Sequence, residues 1–173
     1  MQDRTAGYKS YGEPVKTGKT NHIPVSNKPI DNWITKQDGA NPGKNVIDTG
    51  YKIVVQDRKI ITGSCGDFVN AIFNAAGYSE GKRYFVFKSK IEGPYADANL
   101  LEPGDWVMHR NIEYGNIEHN SIFIKWTNKE KNIAMTLDYV GRGKYVMGKY
   151  SEHDLSKVFC IVRALNLKKY RLF

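Results

Sequence analysis

Cysteine is scarce in this sequence: Cys65 and Cys160 are the only two among 173 residues. One pair cannot staple a fold of this length, so a disulfide scaffold is excluded, although a single bridge between the two stays open. Long apolar runs are missing as well, which excludes a bilayer-spanning helix. The opening Met1-Gln2-Asp3-Arg4 is not a secretory signal. Export would therefore need a signal-independent route or a leader removed upstream; otherwise the protein stays inside. Acids are in deficit, 18 against 26 Lys and Arg, for a formal charge of +8. That balance favours an anionic partner such as nucleic acid, an acidic cell-wall polymer or a membrane surface. The charge is spread along the chain, and no RNA- or DNA-reading motif accompanies it, so nucleic acid is not an expected partner.

Proline is also sparse and uneven. Four of six (Pro14, Pro24, Pro29, Pro42) fall within residues 1–45, among many Gly, Asn and Lys. Periodicity there is weak, and the segment reads as an extended arm or linker. Ile30, Trp33 and Ile34 are its expected anchors onto the body, with Trp33 a packing residue before a ligand-stacking one. Residues 46–173 form the expected domain. The overall 40% hydrophobic content, 12% of the chain being aromatic, suffices for a packed core.

Within that domain, Tyr51–Val55 reads as a short strand or a turn of helix. A helix is expected over about 64–76, then a strand at Tyr84–Phe87 and an irregular stretch over 89–104. Further strands are expected at Asp105–Met108, Ser121–Trp126, Ile133–Val140, Lys144–Met147 and Lys157–Ala164. A helix followed by a run of antiparallel strands is an α+β layout.

The helix carries the most telling residue. Ser64 can cap it, and Phe68, Val69, Ile72, Phe73 and Ala76 make one apolar face ahead of a stop at Gly77. Cys65 then lies in the first turn, where peptide dipoles and free N–H groups favour a thiolate. The same N–H groups can hold an oxyanion. Cys160, inside Val158-Phe159-Cys160-Ile161-Val162, reads as a core residue.

A base must stand beside that thiol. His22 falls in the arm. His153, between Glu152 and Asp154, reads as solvated in a polar turn. His119 opens the strand His119-Asn120-Ser121-Ile122-Phe123-Ile124 after a Gly- and Asn-containing loop, and is the favoured base. His109, beside Arg110 at a strand end, competes with it. In the next strand Ala134, Thr136 and Asp138 share one face. A hairpin would return Asp138 towards His119, where a carboxylate can fix the imidazole's tautomer. Cys65, His109 and His119 lack the compact paired spacing of a zinc site.

Three segments in this order resemble the papain-like cell-wall cysteine hydrolases, the NlpC-type peptidases and CHAP amidases. They are Ser64-Cys65-Gly66-Asp67-Phe68-Val69, Leu101-Glu102-Pro103-Gly104-Asp105-Trp106-Val107 and the strand that His119 opens. The resemblance covers about residues 46–165. The chain departs from the NlpC-type pattern at Gly66-Asp67, where Ser-Gly is usual, and at Glu118, where Gly often precedes the base. The long His119–Asp138 spacing is closer to the CHAP side.

The resemblance implies a papain-like fold, with an N-terminal helix carrying Cys65 packed on a mostly antiparallel sheet. It implies Cys65 as nucleophile, His119 as base and Asp138 as the orienting third residue. Tyr51 and Ser64 are side-chain candidates for the oxyanion or substrate, beside the backbone N–H of Cys65. The expected activity is a metal-free, cofactor-free amidase or peptidase on peptidoglycan peptides, secreted or periplasmic, with an immunity or carrier protein as a further partner. Two rival expectations are a papain-like protease, deamidase or acyl transferase acting on proteins, and a non-catalytic basic binding module.

Overall fold

The computed structural model describes residues 41–112, 115–139 and 146–166. Among the described residues two α-helices precede a six-stranded antiparallel sheet, an α+β architecture. Helix α1 spans Pro42–Tyr51 and runs on into a π-helical turn, Lys52–Gln56. Asn41 caps α1 by accepting from Lys44 N at 3.2 Å, and Pro42 takes the first position, where its missing N–H costs nothing. Pro42, one of the four prolines of the stretch read as arm, therefore starts a helix inside it. The expected arm anchors Ile30, Trp33 and Ile34 lie outside the described residues.

Helix α2, Cys65–Ala75, ends ahead of Gly77 at φ +89°. Its start is held by a capping box. Ser64 Oγ accepts from Asp67 N at 3.1 Å, and Asp67 Oδ2 accepts from Ser64 N at 2.8 Å. Phe68, Val69, Ile72 and Phe73 are all buried. They pack on Ile122, Ile124 and Leu137 of the sheet and on Tyr139 just beyond it, with Phe68 stacked on Tyr139 at 5.8 Å. Each buried aromatic here is worth about 1.5–3 kcal/mol of transfer free energy.

The strands are β1 Arg83–Lys88, β2 Trp106–Asn111, β3 Ile117–Asn128, β4 Ile133–Asp138, β5 Lys149–Asp154 and β6 Val158–Ala164. Their order across the sheet is β1-β6-β2-β3-β4-β5. Five strands fall where the hydrophobic pattern places them, give or take a few residues. The strand expected at Lys144–Met147 does not. Lys144 and Tyr145 lie outside the described residues, Val146 and Met147 are not in a strand, and β5 begins at Lys149. Its sequence, KYSEHD, shows no apolar alternation because β5 is an edge strand whose inward side chains are polar.

The Pro103-Gly104-Asp105 turn has a structural task. Asp105 is buried and takes both Nε and a terminal nitrogen of Arg163 at 2.8 Å, joining the start of β2 to β6. Its carboxylate also accepts from Glu102 N at 2.8 Å. Burial raises the Asp105 carboxyl, and the Arg163 pair only partly offsets it. Gly104, at φ +91°, lies against Gly43 of α1, and a side chain on either would collide with the other segment's backbone. This contact seats α1 on the turn.

Candidate active site

Capping places Cys65 at the open end of α2, half-buried and free of any disulfide. Cys160 is likewise a free thiol, buried in β6, and burial pushes it up. Cys65 faces a cavity of about 790 Å³. Its walls include Trp106, Glu118, His119, Asn120, Asp138 and His153.

Among the described residues β4 ends at Asp138, opposite Ser121 and next to His119 and Asn120 on β3. The His119 imidazole stands beside the thiol on one side and gives Nε2 to Asp138 Oδ2 at 2.8 Å on the other. Nδ1 is left as the nitrogen that serves the sulfur. Asn120 Nδ2 lies 3.7 Å from Cys65 Sγ, and its Oδ1 accepts from Trp106 Nε1 at 2.7 Å. An indole N–H can only donate, so this bond decides which end of the amide faces the thiol.

The electrostatics follow from these contacts. Burial pushes the Cys65 thiol up, but His119 and the N–H groups of Asn120 outweigh it and the net direction is down. Burial pulls His119 down, yet Asp138 and Cys65 together push it up to about 9. Asp138 is buried and still held well below the usual carboxylate range by His119, His153 and Ser151. Low thiol, high imidazole and ionised acid describe a thiolate–imidazolium pair steadied by a carboxylate.

Two histidines stand differently from their sequence reading. His153 is not solvated: it is buried on β5, and its Nε2 bonds Asp138 Oδ2 at 2.6 Å. Glu152 and Asp154 flank it in sequence, but strand alternation turns them away from its face. His109, the competing base, is fully buried opposite His119, their rings edge-on at 5.4 Å. Neither ring nitrogen has a partner among the described residues. Burial, helped by His119 and His153, pushes it down to about 3, so it stays neutral.

The oxyanion candidates separate. Ser64 lines the cavity, but its hydroxyl is spent on the capping box. Tyr51 is not among the cavity residues; its phenol lies near Tyr150, whose own hydroxyl is pushed up by burial and by Tyr51 and Asp48. Asn120, not Tyr51, brings a side-chain N–H beside the thiol. An Asn inside an apolar strand carries no local sign of the partner its side chain will meet. Ser151, whose Oγ donates to Asp138 Oδ1 at 2.6 Å, was hidden in the unrecognised β5.

No family model matches the chain, and neither the curated proteins nor the solved structures provide a match. Among the described residues no helix is long and apolar enough to cross a membrane.

Proposed function

We propose that this chain is a cysteine amidase or peptidase of papain-like layout that hydrolyses amide bonds in peptidoglycan peptides. The observation that carries the chemistry is the line Cys65–His119–Asp138, with the thiol at a helix N-terminus and facing a cavity. The choice of substrate rests on the resemblance of the three motif segments and on the formal charge of +8, which suits an anionic wall polymer.

In this reading Cys65 attacks the amide carbonyl as a thiolate. The charge that develops on oxygen meets the backbone N–H of Cys65, one of the unpaired donors of the first helical turn. Asn120 Nδ2 is the second donor. His119, protonated and oriented by Asp138, gives its Nδ1 proton to the departing amine. Neutral His119 then draws a proton from water, which attacks the thioester and frees the acid and the thiol.

The test is incubation of the full chain with purified peptidoglycan, and in parallel with candidate proteins, each read by mass spectrometry. Cleaved muropeptides from the wild type and none from Cys65→Ala would support the reading. Cleaved or deamidated proteins with intact peptidoglycan would move the same site to a protein substrate. An ordinary Cys65 thiol, ionising near its unperturbed pKa of about 8.5, with neither product would point to a non-catalytic basic module.

A further inference from the structure

The fold brings together more histidine than a catalytic line of three residues uses. One donor atom from each of His119, His153 and Asp138 lies within 4.8 Å of the other two. They come from three neighbouring strands, β3, β5 and β4, and they border the cavity. The rings of His119 and His153 are 5.2 Å apart, and His109 packs against both, at 5.4 and 5.5 Å. Two more buried polar groups on this patch, His109 and Ser121, have no partner among the described residues. Ser121 sits opposite Asp138 in the ladder, and His109 opposite His119. The patch therefore has more polar capacity than its internal hydrogen bonds consume.

We propose that His119, His153 and Asp138 form a binding site for one divalent transition-metal ion, with Zn²⁺ the fitting occupant. Two imidazole nitrogens and one carboxylate oxygen are a ligand set that Zn²⁺ accepts, with water from the cavity as fourth ligand. Zinc–ligand bonds of about 2.0–2.2 Å place tetrahedral donors about 3.4 Å apart. The present contacts of 2.8 and 2.6 Å to Asp138 need open by less than about 1 Å to admit the ion. The supporting contact is present too: Ser151 Oγ holds the other carboxylate oxygen, Oδ1, at 2.6 Å.

The proton balance is simple. Asp138 binds as the carboxylate it already is. His119 releases its Nε2 proton to solvent and keeps the one on Nδ1. His153 binds through Nε2 as the tautomer that carries its proton on Nδ1. The ion thus replaces the His119 imidazolium with a neutral metal-bound imidazole, which holds its remaining proton far more tightly. Under the amidase reading, the loaded form has lost the acid that must protonate the leaving amine.

Binding can be tested without any substrate, on the full chain and on Cys65→Ser, a variant that cannot hydrolyse and yet keeps all three ligands. Zn²⁺ is titrated against a chelating indicator, and Co²⁺ is added to read coordination by its visible bands. The expected result is one ion per chain for both proteins, tetrahedral Co²⁺ bands, and no thiolate charge-transfer band. His153→Asn should weaken binding at least tenfold. Should that variant not fold, ¹⁵N-histidine spectra of the wild type take its place, with Zn²⁺ shifting Nε2 of His119 and His153 together. No saturable binding, full binding by folded His153→Asn, unmoved histidine signals, or binding lost in Cys65→Ser would each overturn the site. None of these results depends on whether peptidoglycan is cleaved.

Discussion

Trp106 aims Asn120. The indole donates to Asn120 Oδ1 at 2.7 Å and so turns Nδ2 toward Cys65 Sγ, 3.7 Å away. Nδ2 also donates to Glu118 Oε1 at 3.1 Å, which keeps the amide in place beside the thiol. Asn120→Ala should lower kcat by about 10²-fold, the usual loss of one oxyanion donor, with little change in KM. Trp106→Phe removes the aiming bond together with part of the ring's packing on Phe73, leaves the Asn120 amide itself in place, and should lower kcat less. Steady-state kinetics on a cleaved muropeptide separate the two.

Cys65→Ala should abolish hydrolysis and leave the melting temperature near that of the wild type, because the side chain is only half-buried. His119→Ala should do the same to activity. His109→Ala should lose less activity but more stability. It empties a fully buried position, yet it also removes two unpaired polar atoms, so the net cost should be below about 3 kcal/mol. Thermal melts beside product assays give the ranking, and the reverse activity order would move the base to His109.

The pH profile should be bell-shaped. Its acid limb follows ionisation of Cys65, whose thiol lies below its ordinary value, and its alkaline limb follows loss of the His119 proton near about 9. Stability carries the same signature. His119 is raised, so its contribution is complete below the unfolded histidine value of about 6.5 and fades as pH rises through about 9. Asp138 is lowered, so its contribution holds above about 3.9 and fades on further acidification. Denaturant midpoints measured from acid to alkaline pH should show a plateau between these limits.

Asp105→Asn should destabilise the chain by about 3 kcal/mol, since it leaves Arg163 without its buried partner. The low end of the usual range applies because the guanidinium keeps some contact with solvent. A urea titration with unchanged slope would check this, and activity in the native baseline should persist, because Asp105 does not line the cavity.

Much of this arrangement is written locally. An N-cap serine, an apolar face at helical spacing and a glycine stop specify α2 and put Cys65 at its first turn, because every term involved acts within a few residues. Alternation likewise placed Asp138 on one face of β4 and the apolar Leu137 on the other. The Asp138 contact with His119 followed once the β3–β4 hairpin was recognised. What pattern could not supply was anything that depends on which strands become neighbours. β5 pairs at the sheet edge with a polar sequence, so no periodicity marked it, and His153 looked like a surface residue between two acids. Its burial against Asp138 is a consequence of strand order. Pro42 falls in the stretch read as an arm, although at the first position of a helix a proline is a start. Which end of the Asn120 amide meets the thiol was decided by a tryptophan 14 residues away in sequence, brought alongside only by the β2–β3 pairing. Propensity and capping are short-range and legible in order; shared carboxylates and aimed amides are set by packing between strands, which no single segment encodes.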